Sequence, residues 1–549
     1  MVRIKKINLL FVLILLLAFG LRFYGLDRIP SGFHSDEAAF GYNAYSLLET
    51  GKDEYGVSFP LILESFRDYK GAVYAYLTIP FIKLLGLNEF AVRAPTAILG
   101  VIFVGISYLL SLQLTKNKKI AILTAAFCAI NPLSILLSRV QSDPLVSVVF
   151  ILTGLYLFLL WVEKKNSFFL IFTLLFWTAS FFTYPSPRIF LPITIFVLLL
   201  FYGKSLLKDK RYLFVPVFLL IFALDIFLYF GQSGSRFRQL SVFNTPTVKL
   251  VLEEKIREDG LSSALTARFF HNKPMDYSLF FAKNYFDYFS FDFLFLKGGQ
   301  PDREIVPSSG LFYLIELPLF LAGAFLIIRR REKWGVFVLG SIVLLPLGLA
   351  LAVDESPNVH RFFLLVFFIE MVVAFGALEV FTEIKKRRVL KYALPLTGIF
   401  LIFNIIYFLH QLFVHQPVHR PWYRGYAYKA LAENLQRQDQ NYQKFLITKT
   451  HASPYIYFLF YSKYDPVKYQ AEGSPGDLIE GNGFGKYSFT SLDCPFADPT
   501  DNPQYIKPKS GVLYVNRGTC PLPKKNARLI ETIKWNDGSD AFQLLKYAP

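Results

Sequence analysis

The feature that most constrains this chain is a series of eleven apolar runs, each close to the length that crosses a bilayer. A hydrocarbon core about 30 Å thick takes roughly 20 apolar residues of helix. The sequence therefore predicts an α-helical polytopic membrane protein with about eleven transmembrane helices, near residues 7–24, 91–113, 120–137, 144–162, 168–183, 188–203, 212–230, 309–328, 334–353, 361–381 and 392–410. Basic residues precede the first run as in a signal peptide, but its length and the lack of a cleavage site predict a retained anchor.

The net charge of +17 has a one-sided distribution. A chain that is 54% hydrophobic and only 18% charged is too apolar for a soluble nucleic-acid-binding protein. The basic residues cluster in alternate connections, and the positive-inside rule assigns such connections to the cytoplasm. We expect a plasma-membrane protein with a cytoplasmic N-terminus and an outer C-terminus; the cytoplasmic stretches are 1–6, 115–119, 163–166, 203–211, 329–333 and 383–391.

Three larger polar segments then lie on the outer side: two loops, 25–90 and 231–308, and a tail, 415–549. We expect residues 1–414 to form the transmembrane domain and the tail to form a small extracytoplasmic α/β domain. Its apolar stretches predict strands and one helix, at 444–448, 511–515 and 527–535 for the strands and 454–461 for the helix. Cys494 and Cys520 both lie in the tail and would form a disulfide in an oxidising compartment.

The first outer loop contains the strongest chemical signal, HSDEAAFGYNAYSLL at 34–48. Ser35 is suited to cap a helix whose first turn holds Asp36 and Glu37. One interpretation is an amphipathic helix in the membrane interface, with acids that complement the helix dipole. The alternative is a pair of carboxylates that supplies a general base or holds a metal.

Basic residues follow in the same loop. Arg67 and Lys70 precede an aromatic stretch, and Arg93 opens the second apolar run. A lysine here either neutralises the phosphate of a lipid substrate or is an ordinary interfacial lysine. For Arg93, snorkelling towards the interface is the structural alternative to a role in the site.

The acidic pair after the first helix, the Lys70 segment and FAVRAPTAILG together resemble the GT-C glycosyltransferases. The nearest group is the protein O-mannosyltransferase and aminoarabinose-transferase superfamily, also called glycosyltransferase family 39-like. The likeness covers roughly residues 10–410 and continues through RVQSDPL (139–145), FFTYPSPRIFLPI (181–193), SFDFLFLKGGQPDREIVPSSGLFYLIELP (290–318) and SPNVHRFFLLVFF (356–368).

This resemblance implies a GT-C fold and transfer of a sugar from a polyprenyl-phosphate donor to a hydroxyl of a protein, lipid or glycan acceptor at the outer face, with inversion. Asp36 would be the catalytic carboxylate with Glu37 beside it, and Asp143 a second acid of the site. Lys70 would contact the donor phosphate, and Arg93 matches the arginine of the family's R-x-P segment. The aminoarabinose branch carries DExRY and KPP where this chain has DEAAF and KGA, so that branch's substrate does not transfer.

The chemistry of such a site is consistent with these residue types. An acceptor hydroxyl needs a base, and a carboxylate at a low-dielectric face is expected to have a raised pKa. Lys70, Arg67 or Arg93 would stabilise charge on the leaving phosphate. A divalent metal held by Asp36 and Asp143 is an open alternative that the sequence does not require.

Further polar residues lie at or near the outer helix ends. They either anchor the interface or bind substrate: Tyr184, Arg188, His360 and Arg361. Acids inside apolar runs are either packing partners or functional: Asp225, Glu316 and Glu370. The loop at 291–310 would close over the donor as a lid or simply connect helices.

Two other functions are compatible with the sequence besides sugar transfer. Eleven helices with buried acids also suit a transporter or a lipid flippase, although the repeated halves typical of transporters are missing from the sequence. The third hypothesis is a surface-assembly protein whose tail binds partners while the membrane part is a scaffold.

Overall fold

The structure, a computed structural model, describes residues 9–66, 68–208, 214–240, 246–259, 269–352, 355–386, 392–449, 453–477, 479–498 and 506–548. The chain divides into two units by packing. The first unit contains Met1–Tyr24, Thr96–Ser138 and Ser142–Leu409. The second contains Gly25–Pro95, Arg139–Gln141 and His410–Pro549. The predicted domain boundary at residue 414 stays a prediction.

Among the described residues up to 410, helices dominate and one β-hairpin interrupts them. In chain order the elements are α1 (Leu9–Phe23), α2 (Ser35–Thr50), β1 (Ile62–Ser65), β2 (Asp68–Gly71), α3 (Val73–Leu85), α4 (Glu89–Thr115), α5 (Lys118–Ile130), α6 (Pro132–Leu137), α7 (Asp143–Lys164), α8 (Ser167–Phe181), α9 (Pro187–Lys208), α10 (Phe214–Leu240), α11 (Pro246–Glu258), α12 (Lys273–Asp287), α13 (Glu316–Arg330), α14 (Lys333–Leu349), α15 (Val359–Lys386) and α16 (Ala393–His410). Each of the eleven predicted apolar runs overlaps at least one of these helices, and the run at 120–137 corresponds to both α5 and α6, so their helical character is confirmed.

Helix boundaries in the first unit follow the capping chemistry of short polar residues. Asn117, Asn131, Ser142 and Asn166 each accept a backbone N–H in the first turn of α5, α6, α7 and α8, respectively. Such a side-chain acceptor satisfies amides that have no partner within the helix. These residues lie in the short polar connections that separate the apolar runs, which explains why the sequence locates the helices well.

Four helices among the described residues are long and apolar enough to cross a membrane: Glu89–Thr115, Asp143–Lys164, Val359–Lys386 and Pro395–His415. Six shorter apolar helices have 10–17 residues: Leu9–Phe23, Val73–Leu85, Ser167–Phe181, Pro187–Gly203, Phe214–Phe227 and Lys333–Leu349. The number of crossings and the sidedness of the termini stay predictions.

The core of the first unit is centred on α15, whose residues from Phe362 to Ala377 are buried without interruption. Helix α13 packs closely against it, because a Cβ on Gly376 would lie 1.9 Å from the carbonyl oxygen of Leu319. The carboxyl group of Glu370 accepts a hydrogen bond from the side-chain amide of Asn131 at 2.8 Å. This contact supports the packing interpretation of that acid.

The second unit contains α2, α3, the hairpin and a mixed sheet from the tail. The tail elements are α17 (Ala427–Arg437), β3 (Lys444–Thr448), α18 (Tyr455–Ser462), α19 (Pro466–Ala471), β4 (Gly483–Phe484), β5 (Tyr487–Thr490), β6 (Val512–Arg517), β7 (Ala527–Lys534) and β8 (Asp540–Tyr547). The sheet order is β4-β5-β3-β6-β8-β7, with β3 parallel to both β5 and β6. The predicted strands correspond to β3, β6 and β7, the predicted helix to α18, and the Cys494–Cys520 disulfide is confirmed.

Helix α2 packs against the tail within this unit. The Tyr42 hydroxyl donates to the backbone carbonyl of Tyr464, and a Cβ on Gly41 would lie 2.6 Å from the ring of Phe460. The Tyr455 hydroxyl donates to the Glu54 carboxyl group at 3.3 Å. The first outer loop and the tail therefore share one packed core, and this core positions the acidic pair.

Candidate active site

Helix α2 begins with a capping box formed by His34 and Glu37. The His34 ring accepts from the amide of Asp36, and the Glu37 carboxylate accepts from the amide of His34 at 2.9 Å. The N-cap is therefore His34, and the predicted cap Ser35 is the first helical residue. The amphipathic interface helix is also wrong, because eleven of the sixteen residues of α2 are buried.

Asp36 contacts the ammonium group of Lys70 through its Oδ1 atom, and its Oδ2 atom lies 3.4 Å from Nδ1 of His34. The side chain of Asp36 remains 32% exposed, whereas that of Lys70 is 16% exposed. The ammonium group also lies 5.1 Å from the ring centre of Phe66 and 6.0 Å from that of Phe40. An acid that solvent can reach is thus joined to a cation that is held between aromatic rings.

The environment of Asp36 lowers its pKa. Burial alone would raise the pKa of this carboxyl group, but the charge of Lys70 and the hydrogen bond with His34 outweigh it and hold the pKa well below the ordinary value. The expectation of a raised pKa is therefore wrong for this arrangement. A carboxylate with a lowered pKa is fully ionised at neutral pH, but it is a weak base while Lys70 stays beside it.

A β-hairpin brings Lys70 to the acidic pair. Strands β1 and β2 pair antiparallel, with Leu63 opposite Lys70. Lys70 was predicted to contact a donor phosphate, and its position beside Asp36 is compatible with that role. Arg67, the second predicted cation of this segment, lies outside the described residues.

Glu37 has a different environment from its neighbour. Its side chain is 2% exposed and forms ion pairs with Arg93, at 2.8 Å, and with Arg424. The amide of Gln141 also lies within hydrogen-bonding distance of Glu37, at 3.3 Å. Burial would raise the pKa of Glu37, but the two guanidinium groups lower it to about 2. These contacts favour a structural carboxylate over a catalytic one.

Arg93 is fully buried and its guanidinium group is used by the protein itself. Besides Glu37, it donates to the backbone carbonyls of Leu26, Pro30 and Gly32. It therefore fixes the chain that leads into α2. A contact of Arg93 with a donor phosphate stays a prediction, and this geometry favours a positioning role instead.

Sequence reasoning missed two arginines that hold the same segment. Arg424, from the tail, pairs with Glu37, while Arg139 donates to the carbonyls of Gly25 and Ile29 and lies 5.2 Å from the ring centre of Phe413. Arg139 lies within the quoted RVQSDPL stretch, so that stretch gave a signal for its importance. Arg424 gave none beyond its place in an aromatic segment just after the last apolar helix.

The remaining candidates lie in the first unit. Asp143 is the first residue of α7, which Ser142 caps. Arg188 donates to the Asp225 carboxylate at 2.8 and 3.0 Å, so these two residues are packing partners between α9 and α10. Tyr184 lies in the turn between α8 and α9, and His360 and Arg361 lie in the first turn of α15. Substrate contacts by these residues, and the lid at 291–310, stay predictions.

The donor set around Asp36 does not fit a divalent metal. Its carboxylate is already paired with an ammonium group, and a metal would have to displace this cation. In the part of the chain that the structure describes, Asp36 also belongs to no group of three or more His, Cys, Asp or Glu side chains at metal-binding distance. No step of the reaction is therefore assigned to a metal.

Residues 70–227 match the family model described as dolichyl-phosphate-mannose-protein mannosyltransferase. The match begins at Lys70 and includes Arg93, Asp143, Tyr184 and Arg188, whereas Asp36 precedes it. No curated protein matches the sequence.

One solved structure shows the similarity of fold, and a second aligns more weakly. ArnT from Cupriavidus metallidurans bound to undecaprenyl phosphate aligns over 97% of both chains with a TM-score of 0.52 and 11% identity. The oligosaccharyltransferase AglB from Archaeoglobus fulgidus, in complex with an inhibitory peptide and a dolichol-phosphate, aligns with a TM-score of 0.45 and 13% identity. That alignment covers 82% of this chain and 63% of AglB, so this chain spans less than two thirds of that protein's length. The predicted resemblance to the GT-C glycosyltransferases is confirmed by the family match over residues 70–227 and by the fold shared with ArnT.

Proposed function

We propose that this chain transfers a sugar from a polyprenyl-phosphate donor to a hydroxyl acceptor at the outer face of the membrane, with Asp36 as the general base. The observation that carries the proposal is the contact between Asp36 and Lys70 at the start of α2. The reaction needs one group that accepts a proton and one that attracts a phosphate, and this pair supplies both. The undecaprenyl phosphate bound to the structurally similar ArnT supports this donor class.

Lys70 binds the donor phosphate in this proposal. Its side chain is 16% exposed and its ammonium group lies against the rings of Phe40 and Phe66, where a charge is poorly screened by water. A phosphate that enters beside Lys70 therefore gains a stronger interaction than it would at an open surface. The same cation then stabilises the negative charge that develops on the phosphate as the sugar leaves.

Asp36 becomes a stronger base when the donor binds. Its pKa is low because Lys70 is beside it, and a phosphate anion that shares or takes this cation removes part of that effect. The pKa of Asp36 then rises towards the value that burial alone would give. The base is thus activated only when the donor is in place, which limits unproductive chemistry at an empty site.

The proposed transfer step is a direct displacement at the anomeric carbon of the sugar. The acceptor hydroxyl gives its proton to the Asp36 carboxylate while its oxygen forms a bond to the anomeric carbon of the sugar. The bond between that carbon and the phosphate oxygen breaks, and its electron pair remains on the polyprenyl phosphate, which Lys70 stabilises. Attack on the face opposite to the leaving group inverts the anomeric configuration.

The proposal is tested with the purified full-length protein, a panel of polyprenyl-phosphate sugars and separate peptide, lipid and glycan acceptors, with products identified by mass spectrometry. A new covalent glycoside with inverted configuration is the expected product. The rival transporter or flippase predicts labelled sugar or lipid that crosses vesicle membranes without a covalent product, and this outcome would overturn the proposal. The acceptor that is glycosylated identifies the acceptor class.

A further inference from the structure

Two parts of the chain that are 387 residues apart meet at the Glu37 carboxylate. Arg424, the last residue of a 3₁₀ turn at Pro421–Arg424, pairs with Glu37 through its Nη2 atom and is only 3% exposed. The backbone of the same residue is also engaged, because its carbonyl oxygen accepts from the amide of Phe33 at 2.7 Å. The tail therefore contacts the chain on both sides of the cap of α2.

Gly32 allows this close approach. A Cβ at this position would lie 2.6 Å from the Arg424 carbonyl oxygen, and the backbone of Gly32 has a φ of +84°, which disfavours any other residue. A second link lies nearby, where the side-chain carbonyl of Gln416 accepts from the amide of Ser31 at 2.9 Å. The segment that leads into α2 is thus held by several tail contacts rather than by one ion pair.

Charge balance does not explain why Arg424 is present. Arg93 alone neutralises Glu37 with two hydrogen bonds, at 2.8 and 3.2 Å. A second buried guanidinium group leaves this trio with an excess positive charge, and burial of charge is costly unless the geometry is good. Arg424 must therefore contribute something other than neutralisation of the carboxylate.

We infer that Arg424 is a positioning residue for Asp36, so that the tail forms part of the active site. Glu37 is held from two directions by Arg93 and Arg424, and it closes the capping box with His34. The capping box fixes the first turn of α2, which determines where the Asp36 carboxylate points. This inference rests on the proposed function only in giving Asp36 the role of base.

The inference predicts a specific kinetic change in Arg424→Gln. The β1–β2 hairpin places Lys70, so the KM for the donor should change by less than about twofold, while a misdirected base lowers kcat by about 10-fold to 100-fold. The variant leaves Glu37 paired with Arg93, and so creates no unpaired buried charge. The matched control is Arg420→Gln, because Arg420 lies in the same segment but is exposed, and its kcat should equal that of the parent.

A second readout does not depend on activity. Hydrogen exchange of the amides from Asp36 to Ala38 should be faster in Arg424→Gln than in Arg420→Gln, because the first turn of α2 is less well fixed. If the parent lacks transferase activity but this exchange difference is present, the proposed function fails and the positioning role stands. If the parent is active but kcat and exchange are unchanged in Arg424→Gln, the positioning role is wrong while the proposed function stands.

Arg424→Lys covers the case in which Arg424→Gln does not accumulate. This variant keeps the cation but lacks the planar fork that bonds in a fixed direction, so kcat should fall by at least about fivefold with an unchanged donor KM. A parental kcat in Arg424→Lys would overturn the inference. Failure of both variants to fold would also overturn it, since Arg424 would then be required for folding rather than for the direction of Asp36.

Discussion

Asp36 and Glu37 are neighbours in sequence, but their carboxylates occupy opposite environments. Asp36 is one-third exposed and contacts Lys70, whereas Glu37 is buried between Arg93 and Arg424. One carboxylate can therefore meet a substrate, while the other holds the helix that presents it. In the proposed reaction, the acidic pair that stood out in the sequence divides into the general base, Asp36, and a structural residue, Glu37.

Lys70→Gln tests the link between the donor phosphate and the base. We expect the donor KM to rise about tenfold or more, since a hydrogen bond to a charged group contributes about 1.5–3 kcal/mol. Without the Lys70 charge, burial raises the pKa of Asp36 in the free enzyme, so kcat/KM should fall at acidic pH where the parent shows no such loss. Steady-state kinetics across pH provide the measurement.

The control for this experiment is Lys83→Gln, because Lys83 is an exposed lysine in the last turn of α3. Its kinetics should match those of the parent at every pH. A donor KM for Lys70→Gln that equals the parental value would show that Lys70 does not bind the phosphate.

Glu37→Gln is expected to destabilise the protein rather than to remove one chemical group. It leaves two buried guanidinium groups facing a neutral amide, and loss of one partner from a buried pair typically costs about 3–5 kcal/mol. Thermal unfolding in detergent measures the change. Glu49→Gln, an exposed glutamate on the same helix, should unfold like the parent, and equal stability of the two variants would refute the structural role of Glu37.

The contribution of the Glu37 carboxylate to stability is expected to fall as the pH falls. The pKa of Glu37 is lowered from 4.5 to about 2 in the folded protein, so its stabilisation is present above pH 4.5. That stabilisation is lost as the pH falls from 4.5 towards 2. Glu37→Gln should therefore lose this part of the acid sensitivity that the parent shows in unfolding experiments.

Glu54 is a buried acid whose contribution to stability is expected to depend on pH in the opposite direction to that of Glu37. Burial raises its pKa to about 8, although the side-chain amide of Asn43 donates to it at 3.2 Å. The folded state thus favours the protonated form, and stability that is present below pH 4.5 is lost as the pH rises through 8. Glu54→Gln keeps the neutral shape and should be more stable than the parent at pH 8.5, by on the order of 5 kcal/mol, since each pKa unit between 4.5 and 8 corresponds to about 1.4 kcal/mol.

Stability at pH 5 provides the internal comparison, since the two proteins should then unfold alike. Glu433→Gln, at an exposed position of α17, should have the stability of the parent at pH 5 and at pH 8.5. A Glu54→Gln variant that is less stable than the parent at pH 8.5 would show that Glu54 is ionised and needed as a carboxylate.

The sequence predicted helices and strands where the signal is local, whereas the one cap that it predicted, Ser35, is the first helical residue of α2. Apolar runs of membrane length located the helices that they predicted in the first unit. The sequence also identified Lys70 and Asp36 as candidate site residues. The sequence did not predict which carboxylate of the acidic pair is exposed to solvent. Burial of Glu37 depends on its contact with Arg424, which is 387 residues away along the chain. The pKa of Asp36 was mispredicted because burial was considered without the Lys70 contact that the hairpin creates.

The most direct test of the account is the rate of sugar transfer by Asp36→Asn, measured beside Asp27→Asn, which changes an exposed acid of the same loop. Loss of a general base is expected to lower kcat by about 10²-fold to 10⁴-fold, whereas Asp27→Asn should retain the parental rate. Asp27→Asn should unfold at nearly the parental temperature, whereas Asp36→Asn loses the ion pair with Lys70 and should unfold at a lower temperature while still folding. Transfer by a folded Asp36→Asn protein at the parental rate would contradict the assignment of Asp36 as the base.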